Sequence, residues 1–407
     1  MQHMQHMQQM YYLINHTNIY NVGFGESDKK EGFFRIWTTD MMFHLFRDLT
    51  SYDLLNDLDG YIQIVSLPKD NDVFKVDKNN DIIFVNKIII GEKYALFDPL
   101  TVKKLKLKID VNYLAFAVSK GWLKILDLWK NYNIDEDSRK HGLYSIFYHA
   151  SEYNRIDVLT WVVNSVLPKI YDSSPLDVAS KNGHIEVLQW WFDSGLPLKY
   201  SEFALSSASM NGHVDVLQWW KNSGLPLEYS EDAMNFASDR GHLHVLQWWK
   251  ESGLELKYSG YSLLDASIKN HIEVLKWWFS SDLPLEYSEL ILDGVSKDNN
   301  VDVLNVWFTS GKPLKYSVKA IDDASSKGHV DVLECWKNSG LELKYTEKAL
   351  NKATRQSHFN VLEWWKNSGL PLKYRKNVIR DQCKLAMKYN QPILLEWWEK
   401  TWKELKE

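Results

Sequence analysis

Cysteine is almost missing from this chain: Cys335 and Cys383 are the two among 407 residues. Two thiols build neither a disulfide framework nor a thiolate metal site, and such sparse usage suits a reducing compartment such as the cytoplasm. Long apolar runs are missing too. None approaches the ~18 residues that a membrane-spanning helix requires, so no membrane partner is expected. The opening Met1-Gln-His-Met-Gln-His-Met-Gln-Gln-Met10 has neither the basic end nor the apolar core of a signal peptide. Residues 1–10 read instead as a low-complexity extension, with Met10 as a candidate initiator. An excess of positive charge is also lacking. The net charge is -5, which argues against binding a nucleic-acid backbone. No Walker loop, dinucleotide fingerprint, nucleophile motif or partnered carboxylate pair is present. The expectation is therefore no catalytic residue, no cofactor and no metal, and the chain does not read as an enzyme.

What the chain has in excess is tryptophan, 19 residues, and the reason is a repeat. The stretch His213-Val-Asp-Val-Leu-Gln-Trp-Trp-Lys-Asn-Ser-Gly-Leu-Pro-Leu-Glu-Tyr229 recurs from His184, His242, His271 and His358, with degraded copies from Asn300 and His329. Consecutive copies are 29 residues apart, as in His184, His213 and His242, and a period of that size marks a repeat architecture. Taking each histidine as position 0 of its unit, the series extends back to Arg155 and Trp122 and forward to Gln391. The two end steps, 122 to 155 and 358 to 391, are 33 residues. Ten units result.

Each unit reads as helix, turn, helix, loop. Ser201-Glu202 opens a first helix, the serine as N-cap and the acid where the helix dipole favours it. Leu205 and Ala208 form its inward face. Position -1 is Gly in five units (121, 183, 212, 241, 328) and Asn in four (154, 270, 299, 390), with Ser357 the exception. Gly and Asn are the residues that tolerate the left-handed conformation ending a helix. The second helix carries Val214, Val216, Leu217, Trp219 and Trp220 toward a core and stops at Ser223-Gly-Leu-Pro226, a left-handed glycine cap followed by proline. Ahead of the repeats, residues 11–110 are unlike them. Tyr61–Ser66 and Ile82–Ile90 read as strands, residues 69–72 and 78–81 as turns, and residues 41–48 and 52–58 as short helices, together a small α+β domain.

The pattern Ala-x-x-x-Gly-His-x-x-Val-Leu, two helices per unit and a glycine-ended second helix resembles the ankyrin repeat. The wording Trp-Trp-Lys-Asn-Ser-Gly-Leu-Pro-Leu, with Ile64-Val-Ser-Leu-Pro68 and Asn86-Lys-Ile-Ile-Ile-Gly-Glu-Lys-Tyr94, resembles more narrowly the ankyrin repeat proteins of giant, mimivirus-like DNA viruses. The resemblance covers about residues 50 to 400. It implies a mainly α chain, an ankyrin-like helical solenoid over residues 111–407 behind the small α+β domain. It further implies a monomeric protein–protein interaction scaffold in the cytoplasm of a host cell. An adaptor is the alternative, its N-terminal domain recruiting ubiquitin-ligase or other machinery while the repeats select the substrate. The sequence departs from the family in two ways. The Thr-Pro-Leu-His opening is absent, as in Ser230-Glu-Asp-Ala-Met-Asn235, and the middle units are four residues shorter, in the loop. Short, stiff loops are expected in place of long fingers.

Sixteen of the tryptophans occupy positions +6 and +7. Adjacent helical residues point about 100° apart, so a shared aromatic platform is disfavoured and core packing is expected at both. The position 0 histidines recur at one helix diameter, roughly 10 Å, too far apart to share a metal at about 2 Å; hydrogen bonds that stabilise the turn suit them better. The resemblance places the partner on the concave face, lined by first helices. Positions -7 and -6 vary there while the core letters hold: Asp177, Ser206 and Ser207, Asn235 and Phe236, Leu264 and Asp265, Asp293, Asp322 and Asp323, Asn351 and Lys352. Phe236 and Leu264 would be apolar anchors, and Asp322 with Asp323 suggests a basic feature on the protein partner.

Overall fold

The computed structural model describes residues 11–15, 34–38, 61–66, 73–77, 82–85, 89–95, 97–105, 107, 109–388 and 393–404. The chain divides into two compact units, residues 1–179 with 184–200 and residues 180–183 with 201–407.

The first unit holds a six-stranded antiparallel sheet ordered β4-β5-β2-β1-β3-β6. The strands are β1 Tyr11–Asn15, β2 Phe34–Thr38, β3 Tyr61–Ser66, β4 Val73–Asp77, β5 Ile82–Val85 and β6 Ile89–Ala95. The apolar run from 82 to 90 thus supplies two strands that pair with different neighbours, β5 with β2 and β4, β6 with β3. Strands β1, β2 and β4 carry no strong alternation in the sequence and were not anticipated. The expected helices at 41–48 and 52–58 and the two turns lie outside the described residues. The same unit carries three helix pairs, from Val111–Lys120 with Leu123–Lys130 onward. Trp122, at position 0 of the first pair, packs its ring 4.1 Å from Phe97 and 5.5 Å from Phe116. An apolar contact thus stands at this position, where later units carry a polar side chain.

Seven further helix pairs complete the ten units that the spacing predicts. Phe203–Met210 with Val214–Asn222 is typical. Leu205, Ala208, Val216, Leu217 and Trp220 are wholly buried. The turn at position -1 is left-handed wherever it is described: φ is 81° at Gly212, 62° at Asn270 and Asn299, and 57° at Ser357. Asn390 lies outside the described residues. Glycine has a second reason at Gly241, where a Cβ would stand 2.7 Å from Nδ1 of His271 in the next unit. One expectation shifts by a residue. The helix starts at Phe203 with Glu202 at the N-cap and no side-chain cap bond, while the Ser201 hydroxyl accepts from the Phe203 N–H at 3.3 Å.

Within the second compact unit, rows of hydrogen bonds join successive repeats; Trp398 Nε1 is buried without such a partner. At position +7 the buried indole N–H donates to the hydroxyl at position -4 of the preceding unit. Trp249 reaches Ser209 at 3.0 Å, Trp278 reaches Ser238 at 3.0 Å and Trp307 reaches Ser267 at 3.0 Å. A buried N–H needs such an acceptor, and the serine is the residue that supplies it. At position 0, His271 Nε2 lies 2.9 Å from the Asp239 carbonyl and His329 Nε2 3.0 Å from that of Lys297, at the end of the previous first helix, while His358 bonds Gln356 of its own unit at 3.0 Å. In the loops, the Tyr258 hydroxyl donates to the Pro284 carbonyl at 2.9 Å and that of Tyr287 to Pro313 at 2.8 Å. These bonds make the loops short and fixed, as their length suggests.

Position +6 is the correction. Trp219, Trp248, Trp277 and Trp364 are half-buried on the outer face of the second helix, not core. Their rings lie edge-on to the buried tryptophan beside them, at 85° for Trp219 and Trp220. The Trp248 and Trp364 N–H groups bond the previous unit's Gln218 and Glu334.

Candidate protein interface on the first-helix face

The first helix of each unit lies on the second by one stripe, and the opposite stripe is the surface it can offer. On a helix that stripe is a set spaced i, i+4, i+7, here positions -10, -6 and -3. In the second unit of the chain these are Phe203, Ser207 and Met210; Asp232, Phe236 and Asp239; Tyr261, Asp265 and Ile268; Leu290, Gly294 and Lys297. Four large apolar side chains stand out of it: Phe203 is 59% exposed, Tyr261 61%, Leu290 55% and Ile268 40%. Phe236 and Leu264 are half-buried beside them. Gly294 places no side chain between neighbours, and its Cα lies against Ile268, whose Cδ1 would be 3.9 Å from an added Cβ.

The next two units change sign. Lys319, Lys348 and Arg355 are exposed and Lys352 half-buried. Asp323 does not stand free, because its carboxylate pairs with Lys352 at 3.2 Å. This end of the face carries exposed cations, while Asp322 is buried and Asp323 is paired.

The expected site residues differ by position. At -6, Ser207, Phe236, Asp265, Asp323 and Lys352 are half-buried and belong to the face. At -7, Ser206, Asn235, Asp293 and Asp322 are buried, at most 5% exposed, and bond inside the array. Asn235 accepts from the Ser259 N–H at 3.1 Å, Asp293 from that of Ser317 at 2.9 Å and Asp322 from that of Thr346 at 2.8 Å. Each holds the backbone N–H at the entry to the next unit's first helix, 24 residues on. Asn351 repeats the bond with Arg375 at 3.0 Å. Leu264 and Asp177 are half-buried at this position. Positions -10 and -3 are the ones that sequence reasoning passed over; the apolar Phe203, Tyr261 and Leu290 at one helical spacing from -6 are the signal that could have found them.

The electrostatics of the face are mild. Burial, then the neighbouring Asp239 carboxylate, raises Asp265 above the usual carboxylate range, and Lys269 opposes this. Lys269 in turn pairs with Asp239 at 2.6 Å. Among the described residues no group of three His, Cys, Asp or Glu side chains could hold a metal, and no helix is long and apolar enough to cross a membrane.

The array is similar to a solved ankyrin repeat domain. That structure is the human ASB11 ankyrin repeat domain, at 17% identity and a TM-score of 0.39, covering 47% of this chain and 97% of that one. No protein-family model and no curated protein matches the chain by sequence.

Proposed function

We propose that the repeat array is an ankyrin-like protein-binding scaffold that holds a protein partner on its first-helix face between Phe203 and Arg355. The observation that carries this reading is the exposed apolar group Phe203, Tyr261, Ile268 and Leu290 on one helical stripe, beside the cations of the next two units. Exposed aromatics on a prefolded surface are the usual anchors of an interface. A stack whose helices are tied unit to unit loses little conformational entropy on binding, which is what such a scaffold contributes. The partner that fits presents apolar side chains to the first part of the face and carboxylates to Lys319, Lys348 and Arg355. The resemblance of the sequence to giant-virus ankyrin repeat proteins supports a host protein in the cytoplasm as that partner.

The test is affinity capture from host lysate with wild type beside Phe203→Ser, Tyr261→Ser, Leu290→Ser, after circular dichroism shows equal helix content. All three side chains are exposed, so folding should be unaffected. A protein retained by wild type and lost by the triple variant supports the reading. Equal retention by both moves the interface elsewhere.

A further inference from the structure

The loops of the second unit contain a row of lysines laid over tyrosines. Lys257 sits 4.7 Å above the Tyr229 ring, Lys315 4.8 Å above Tyr287, Lys344 4.3 Å above Tyr316 and Lys373 4.2 Å above Tyr345. Each ammonium also donates to the carbonyl of the same tyrosine, at 3.2, 2.9, 3.4 and 3.2 Å. The lysine follows its tyrosine by 28 residues in every case.

By that spacing Tyr258 should be covered by residue 286, and residue 286 is glutamate. Among the described residues no ammonium lies over the Tyr258 ring. A shallow groove of about 730 Å³ opens at this place, lined by Tyr229, Glu231, Leu256, Tyr258, Pro284 and Glu286. Burial and, next, the nearby Glu286 carboxylate hold the Tyr258 phenol above its ordinary value. The local backbone is built for the approach. A Cβ at Gly260 would stand 2.8 Å from the Glu286 carbonyl oxygen, where the corresponding residues of other units are Glu231, Glu289 and Val318.

We propose that this groove binds a lysine side chain of another polypeptide, whose ammonium fills the place taken in the neighbouring rungs by the chain's own lysine. The ring face of Tyr258 attracts a cation, and its carbonyl is the acceptor that the other rungs use. Glu286 and Glu231 supply two carboxylates. Lys257 also lines the groove, but its ammonium is held on the Tyr229 carbonyl. Leu256 and Pro284 lie alongside the four-carbon stem. The site does not depend on the first-helix face binding anything.

The test uses the full chain and three probes followed by saturation-transfer NMR: Nα-acetyl-lysine-N′-methylamide, the norleucine analogue and n-butylamine. The lysine probe should bind wild type at least tenfold more tightly than norleucine does. Glu286→Lys restores the missing rung, and four other rungs show that the fold accepts lysine there. It should keep the helix content and weaken the lysine probe at least tenfold; Glu231→Gln should weaken it several-fold. Equal binding of norleucine, unchanged binding to Glu286→Lys, or no binding to wild type would each overturn the proposal. Tighter binding of n-butylamine than of the blocked lysine would overturn its assignment to a peptide-borne side chain.

Discussion

Removing the hydroxyl of Ser238 should destabilise the array far more than deleting one small polar group suggests. Ser238 is wholly buried and Trp278 is 1% exposed, and the indole N–H donates to that hydroxyl at 3.0 Å. In Ser238→Ala the N–H stays buried with no acceptor, a loss of about 1–3 kcal/mol. Trp278→Phe removes the donor and part of a ring packed 5.0 Å from Tyr258, a loss of roughly 3 kcal/mol from the cavity and the lost contacts. In the Phe background, Ser238→Ala forfeits only the bond from its hydroxyl to the Met234 carbonyl at 2.9 Å, about 0.5 kcal/mol. The two substitutions should therefore couple by about 1–2 kcal/mol. Urea unfolding followed by circular dichroism at 222 nm on the four proteins measures this, with m compared across them because arrays can unfold in parts. Additivity within ~0.5 kcal/mol would refute the claim that the indole–hydroxyl row joins the units.

Three further outcomes follow from the inter-unit bonds and the turns. Ser206→Asp should stabilise by about 1 kcal/mol in thermal melts, because Ser230 has a buried hydroxyl with no partner and Asp293 bonds the equivalent Ser317 N–H. Ser357→Gly should raise stability by up to about 1 kcal/mol, since Ser357 holds a φ of 57°; an unchanged melting temperature would count against strain there. Burial first, then the charge of His244, lowers His242 below its ordinary value of 6.5. A base depressed in the folded state keeps its contribution above the unfolded value and loses it as pH falls through 6.5 toward the folded one. His242→Asn should flatten that part of the stability–pH curve, as Asn300 already fills the same position with a bond to the Ile268 carbonyl at 3.3 Å.

The period, the left-handed turns, the glycine-capped second helices and the buried Trp220 series were legible because each is written inside one unit. What escaped reading is written between units. Asn235, Asp293 and Asp322 vary like surface residues, yet their partners lie 24 residues on, and no local pattern shows that a variable polar residue bonds the backbone of the next repeat. Trp219 and Trp220 are identical in type, so the sequence alone does not separate the buried ring from the half-buried one. The lysines over Tyr229, Tyr287, Tyr316 and Tyr345 are likewise visible only when two loops are placed side by side. The exposed stripe is half legible: Phe236 and Asp265 stand on it at position -6, whereas Phe203, Tyr261 and Leu290 emerge only when a full helical repeat is laid out instead of two adjacent positions.

The most direct test of the first-helix interface is site-specific photocrosslinking in host lysate. Benzoylphenylalanine would replace Tyr261 on that face in one protein, and Lys221 on the exposed side of a second helix in another. The interface predicts a discrete adduct from position 261 and none from 221, with the adduct lost when Phe203→Ser and Leu290→Ser are added. An adduct from 221 with none from 261 would contradict it and place the partner on the second-helix side.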